Sequence, residues 1–110
     1  GNHTIDALLL YLSQNFTRDI SLSDIAEHFF WSKDHCNRAF HKATGMTSTE
    51  YCQRLRIGSA KDFLQFSLMP VEQIAWKVGY SDVSAFRKIF KRIVGLTPSE
   101  YRRRFTLDEE

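Results

Sequence analysis

An internal repeat constrains this 110-residue chain more than any other feature. In the first part of each copy, Ile25, Ala26 and Ser32 recur as Ile74, Ala75 and Ser81. In the second part the offset is one residue longer, and the first copy holds Arg38, Phe40, Lys42, Gly45, Met46, Thr47, Glu50 and Tyr51 where the second holds Lys88, Phe90, Arg92, Gly95, Leu96, Thr97, Glu100 and Tyr101. Each copy therefore predicts a short helix, a tight turn, a second helix, a glycine stop and a capped helix.

Two copies of a helix pair favour helix-turn-helix lobes over a helical solenoid, because a solenoid needs at least ~3 repeats to be stable. The whole chain has five glycines and two prolines, too few for the many tight turns of a β-sandwich. We therefore predict one all-α domain over 1–110. It comprises a first helix-turn-helix lobe at 4–46, a linker helix at 47–66 and a second lobe at 70–105.

Apolar spacing and cap residues predict seven helices in total. The second helix of each lobe is expected at about 33–44 and 83–94, and the linker helix at about 48–66. Gly58 lies in the middle of the linker helix, where glycine costs ~1 kcal/mol relative to alanine, so we expect a close approach by a neighbour there. The side chains expected to face inward on the two second helices are Cys36, Ala39, Phe40 and Ala43, and Phe86, Ile89, Phe90 and Ile93.

Positive charge is concentrated rather than spread along the chain. The formal net charge is only +2, but residues 87–104 hold seven lysines and arginines against Glu100 alone. A modest net charge can hide a basic face that attracts nucleic acid. A run of charges is also typical of a solvated helix face, so the spacing of the charges must decide between the two interpretations.

Polar side chains form one stripe on the second helix of each lobe. If the apolar positions face inward, residues 34, 37, 38 and 41 share one side, as do residues 84, 87, 88 and 91, and Val83 also falls outward. Arginine can donate two hydrogen bonds to guanine, and asparagine can pair with adenine. We therefore expect the helices at 33–44 and 83–94 to enter successive segments of a DNA major groove, which is ~12 Å wide.

Other functions have weaker support in the sequence. His35, Cys36 and His41 lack the spacing of a zinc site, so we expect no metal and no cofactor. One helix groups two carboxylates with a histidine, but no nucleophile accompanies them, and we expect no enzyme. An interaction module for an acidic protein remains an alternative. A regulatory lobe of a DNA-repair protein is another, although alkyl-acceptor chemistry would need an activated cysteine with zinc-like neighbours.

Cellular location is predicted from the cysteines and from the hydropathy. Two cysteines are too few for the disulfide framework of a small secreted protein, so a reducing compartment fits them best. No apolar run approaches the ~18 residues of a membrane span. We therefore expect a cytoplasmic protein that makes no contact with a membrane.

The longest motif of the chain covers 70–102. It reads PVEQIA at 70–75, VGYSD at 78–82, SAF at 84–86, FKR at 90–92 and GLTPSEYR at 95–102, and the linker helix adds Arg56, Ala60, Phe63 and Leu64. These patterns resemble the AraC/XylS family of bacterial transcription regulators. The resemblance implies seven helices, two helix-turn-helix lobes joined by a long helix, sequence-specific binding of duplex DNA, and control of transcription initiation with RNA polymerase as a partner. Many members also carry an upstream effector-binding or dimerisation domain, so the resemblance allows one in the full-length protein.

The resemblance also implies which residues contact DNA. Asp34 is acidic where many relatives have a neutral or aromatic residue, and it either reads a cytosine amino group or caps its helix. Val83 is apolar where others are often polar, and it either contacts a thymine methyl group or contributes little. By position, the family's contacts fall on Lys33, Asp34, Asn37 and Arg38 in the first lobe and on Val83, Ser84, Arg87 and Lys88 in the second.

Overall fold

A computed structural model describes residues 2–106, with side chains described from residue 5 onward. Every regular element in this part of the chain is an α-helix, so the predicted all-α class is confirmed. The predicted bounds of α3, α4 and α6 agree with the structure. The helices are α1 (Asn2–Asn15), α2 (Leu22–Phe29), α3 (Lys33–Thr44), α4 (Ser48–Phe66), α5 (Val71–Lys77), α6 (Val83–Val94) and α7 (Pro98–Phe105).

The chain divides into two compact units, Gly1–Gln53 and Arg54–Glu110. The boundary falls inside α4, so this helix contributes its first turns to one unit and the rest to the other. Each unit contains one helix-turn-helix pair, namely α2 with α3 and α5 with α6.

The core of the first unit is built around the side chains of α1, α2 and α3. Phe40 is completely buried, and its ring meets Tyr51 edge-on at a centroid distance of 5.4 Å. Burial of a phenylalanine side chain contributes ~1.5–3 kcal/mol, so this ring anchors α3 against the start of α4. The other buried apolar residues of the unit are Leu8, Leu12, Ile25, Ala26 and Cys36.

The second unit repeats this packing with the equivalent residues. Phe90 is completely buried and meets Tyr101 edge-on at 5.7 Å, as Phe40 meets Tyr51 in the first unit. The inward positions of both phenylalanines are therefore as predicted. The buried cluster consists of Ile57, Ala60, Leu64, Ile74, Ala75, Val78, Tyr80, Phe86, Phe90 and Tyr101.

Local capping explains why the helices begin and end where they do. The Ser32 hydroxyl accepts a hydrogen bond from the His35 backbone N–H at 3.0 Å and fixes the start of α3. Gly45 and Gly95 adopt the left-handed conformation, at φ 73° and 91°, and end α3 and α6. Glu100 completes a capping box at the start of α7, and its hydrogen bond from the Thr97 backbone N–H lowers the pKa of the carboxyl.

Two packing expectations are wrong. A Cβ atom added at Gly58 would meet no heavy atom within 4 Å, and the residue is exposed, so no neighbour approaches it closely. Ala43 is exposed although it is in phase with Cys36 and Phe40. Ala43 lies in the last turn of α3, and periodicity predicts the direction of a side chain but not how far the neighbouring elements extend along the helix.

Candidate nucleic-acid interface

The exposed side of α3 carries the polar stripe predicted for the first lobe. Because Cys36 and Phe40 are fully buried, they fix the rotation of the helix about its axis. The residues that this rotation leaves exposed are Lys33, Asp34, Asn37, Arg38 and His41. Four of these are the predicted contacts of the first lobe, so α3 presents them together on one surface.

Asp34 forms an ion pair with Arg38, one helical turn further on. Both side chains are largely exposed, and an exposed pair of this kind contributes at most ~1 kcal/mol to stability. Its structural effect is to orient the guanidinium on the outer face of α3. The side-chain cap of α3 is Ser32, so the carboxylate of Asp34 is engaged by Arg38 instead.

The exposed side of α6 carries the corresponding stripe of the second lobe. Ser84, Arg87, Lys88 and Lys91 are exposed, as predicted. Val83 is half-buried and packs against the core cluster of the second unit, so its predicted outward position is wrong. Val83 is the first residue of α6, where the chain has just left the turn and its apolar side chain turns toward the core.

Glu72 of α5 positions Arg87 of α6. Its carboxylate lies 3.5 Å from the Arg87 guanidinium, and both side chains are about half exposed. The sequence prediction missed Glu72, because its partner lies on another helix and no periodic signal joins them. Each of the two stripes therefore contains one arginine held by a carboxylate, Arg38 on α3 and Arg87 on α6.

Arg102 is not part of an exposed basic face, although it belongs to the basic segment at 87–104. Its half-buried guanidinium donates hydrogen bonds to three backbone carbonyl oxygens, those of Leu64 at 3.1 Å, Ser67 at 3.2 Å and Met69 at 2.7 Å. Leu64 is in the last turn of α4, where carbonyls lack helical partners and a cation is favourable. Arg102 therefore ties the end of α4 and the following turn to α7.

Of the α3 residues considered for a metal site, His35 and Cys36 make packing contacts, whereas His41 is exposed. The His35 ring lies 4.7 Å from the ring of Trp31, centroid to centroid, and burial raises the pKa of the Cys36 thiol. A raised pKa disfavours the reactive thiolate. Among residues 2–106, no group of three or more His, Cys, Asp or Glu side chains could hold a metal ion. Within the same residues, no helix is long and apolar enough to cross a membrane.

The family model for a helix-turn-helix domain matches residues 25–104. This match covers both helix pairs and the helix between them. The transcriptional activator AarP of Providencia stuartii is 39% identical over 98 residues, which are 89% of this chain and 73% of that protein. The chain belongs to the AraC/XylS family. It is a bacterial-type, DNA-binding regulatory domain with two helix-turn-helix lobes.

Three further comparisons concern the length of the relatives and the fold. The bifunctional transcriptional activator and DNA-repair enzyme AdaA of Bacillus subtilis is 31% identical over 105 residues, which are 96% of this chain but half of that protein. The chain also spans only a third of another regulator that it matches. The DNA-binding domain of AdpA, solved in complex with a target DNA, superposes with a TM-score of 0.86 over 91% of this chain and 90% of that chain, at 21% identity. That likeness confirms the fold.

Proposed function

We propose that α3 and α6 each enter a segment of the major groove of one duplex, with the two segments successive along the DNA. The observation that carries this proposal is the recurrence of one exposed polar stripe on the second helix of both repeats, at positions 34, 37, 38 and 41 and at positions 84, 87, 88 and 91. A solvated face needs no such recurrence at equivalent positions. A pair of recognition helices needs polar side chains at equivalent positions, because each helix must present its polar side to base edges.

The side chains of the two stripes have different roles in this proposal. Arg38 and Arg87 each donate two hydrogen bonds to a guanine, and Asn37 pairs with an adenine. Asp34 and Glu72 hold the two arginines in position, and Asp34 does not itself read a base.

The remaining predicted contacts are Lys33, Val83, Ser84 and Lys88. Lys33 and Lys88 neutralise phosphates, which raises affinity without selecting a sequence. Ser84 donates its hydroxyl hydrogen to a phosphate or a base edge. Val83 contributes little to recognition, because the core already covers part of its side chain.

We infer further that this regulator acts in the cytoplasm of a bacterium and meets RNA polymerase there. The inference is supported by its family and by the activator AarP, which it matches over most of both chains. The chain spans half or less of some relatives, so an upstream effector-binding or dimerisation domain fits the same proposal. The regulatory domain itself performs no catalysis in this scheme.

Replacement of Arg38 tests the proposed base contact. Arg38→Ala should lower affinity for the best site by ~1–3 kcal/mol and relax the preference at one base pair. Lys42→Ala is the matched control, because Lys42 is an exposed cation in the last turn of the same helix. It should weaken binding to all sequences slightly and equally.

Binding of both variants is measured by fluorescence anisotropy on the best site and on single base-pair variants of it. If Arg38→Ala weakens binding to every sequence by the same factor, Arg38 contacts a phosphate and the assigned reading is wrong. If neither variant changes DNA binding, the basic stripe serves a protein partner instead.

A further inference from the structure

Phe30 ends α2 in a conformation that phenylalanine rarely adopts. Its backbone angles are φ 59° and ψ 36°, in the left-handed region, and it is the one non-glycine residue with positive φ among residues 2–106. A bulky residue in this region is sterically strained. Its backbone N–H donates to the carbonyl of Glu27 at 3.2 Å, and the Trp31 N–H donates to the carbonyl of Ala26 at 2.8 Å, which holds the turn in place.

The second repeat shows that the turn does not need phenylalanine. By the offset that relates Ile25 to Ile74, the residue equivalent to Phe30 is Gly79, which has φ 113°. Glycine adopts positive φ without a steric penalty. The same turn therefore forms in the second lobe without the strain.

Packing of the Phe30 side chain does not offset the cost of this backbone strain. It is 96% exposed, whereas the aromatic residues on both sides of it are half-buried. Phe29 stacks on Trp31 with the ring centroids 5.4 Å apart, and Trp31 meets His35 at 4.7 Å. The turn thus exposes the aromatic ring of a residue with a strained backbone, beside a packed aromatic cluster.

The position of the ring points to DNA. Phe30 lies two residues before Ser32, the N-cap of α3. It is therefore close to the N-terminal end of the helix that carries Lys33 and Asp34. If α3 enters the groove as proposed, the exposed ring of Phe30 lies next to the end of α3 that carries Lys33 and Asp34. The apolar group that a major groove offers to an aromatic side chain is the 5-methyl group of thymine.

We propose that Phe30 contacts the methyl group of a thymine beside the half-site read by α3, and so adds a base preference that the second lobe lacks. This inference rests on the proposed entry of α3 into the major groove. It predicts that one substitution of Phe30 has opposite effects on stability and on DNA binding. The backbone conformation of Phe30 destabilises the free protein, whereas its ring makes a contact only in the DNA complex.

The first test is Phe30→Gly. Relief of the left-handed strain should raise the Tm by about 4 °C. Loss of the apolar contact should weaken binding to the selected site about fivefold. The slope of log Kd against log salt should stay unchanged, since a neutral ring releases no counterions. Leu68→Ser is the matched control, because Leu68 is 93% exposed and belongs to the second unit. It should change neither the affinity nor the slope.

The second test removes the methyl group from the DNA. Deoxyuridine in place of the flanking thymine should weaken binding of the unmodified protein by the same factor, about fivefold, and leave binding by Phe30→Gly unchanged. Equal effects of deoxyuridine on both proteins, or full affinity of Phe30→Gly, would overturn the inference while leaving the proposed function intact. If the unmodified protein selects no sequence at all, the proposed function itself fails.

Discussion

Arg102 should be a major determinant of the stability of the second unit. Its guanidinium donates three hydrogen bonds to backbone carbonyls of Leu64, Ser67 and Met69. A hydrogen bond from a charged donor contributes about 1.5–3 kcal/mol when it is well shielded. Because the side chain is only half-buried, water replaces part of each bond in the variant, so we take about 1 kcal/mol for each and about 3 kcal/mol for all three.

Arg102→Ala should therefore lower the free energy of unfolding by about 3 kcal/mol and the Tm by about 12 °C. Arg102→Lys should lose at least half as much, because an ammonium group cannot span three carbonyls as the planar guanidinium does. Arg104→Ala is the control for charge, since Arg104 is exposed on the same helix, and it should stay within about 0.5 kcal/mol of the unmodified protein.

The assay is thermal and urea unfolding followed by circular dichroism, with DNA binding measured at a temperature where all variants are folded. The salt dependence of binding should be unaffected by Arg102→Ala, because its guanidinium is committed to the backbone. If the Tm of Arg102→Ala lies within about 2 °C of the Arg104→Ala value, or if Arg102→Ala alone has a shallower salt slope, Arg102 contacts DNA rather than stabilising the fold.

Four further substitutions test the packing, the linker helix and the cap of α7. Phe40→Ala and Phe90→Ala should each cost about 3–5 kcal/mol in urea unfolding, and an unchanged midpoint for either would mean that its helix face is assigned wrongly. Gly58→Ala should raise the free energy of unfolding by about 1 kcal/mol, since the site is open, and a loss of stability would reveal a close neighbour. The lowered pKa of Glu100 means that its carboxylate stabilises the fold above its ordinary pKa and that this contribution disappears as pH falls through the lowered value. Glu100→Gln should therefore flatten the fall in Tm as the pH drops below the ordinary pKa of a glutamate, and parallel curves would contradict the role of the Thr97 cap.

Local signals predicted the helices well. The bounds of α3 and α6 follow from residues inside or next to each helix, namely an N-terminal cap and a glycine that can adopt the left-handed conformation, Gly45 or Gly95. The repeat then predicted which face of each helix is buried, because Phe40 and Phe90 occupy equivalent positions.

Contacts between residues far apart in the chain could not be predicted from the sequence. The carbonyls that Arg102 binds lie 33 to 38 residues away, so its charge looked the same as that of its exposed neighbours. The pairing of Arg87 with Glu72 likewise depends on how α5 packs on α6. The close neighbour predicted at Gly58 is absent. The prediction was wrong because a helix interior tolerates glycine at a modest cost whether or not another element packs there. For Phe30 the signal was present, since the repeat aligns it with Gly79, but its strain is visible only in the backbone angles.

Selection of binding sites from random duplexes by this chain alone is the sharpest test of DNA recognition by α3 and α6. Two unequal recognition helices in one chain should select one asymmetric site per monomer, with two blocks of preferred base pairs centred about 10 base pairs apart. Arg38→Ala should remove preference in one block and Arg87→Ala in the other. A site with perfect two-fold symmetry, or no preference at any position, would contradict recognition by two unequal helices of one chain.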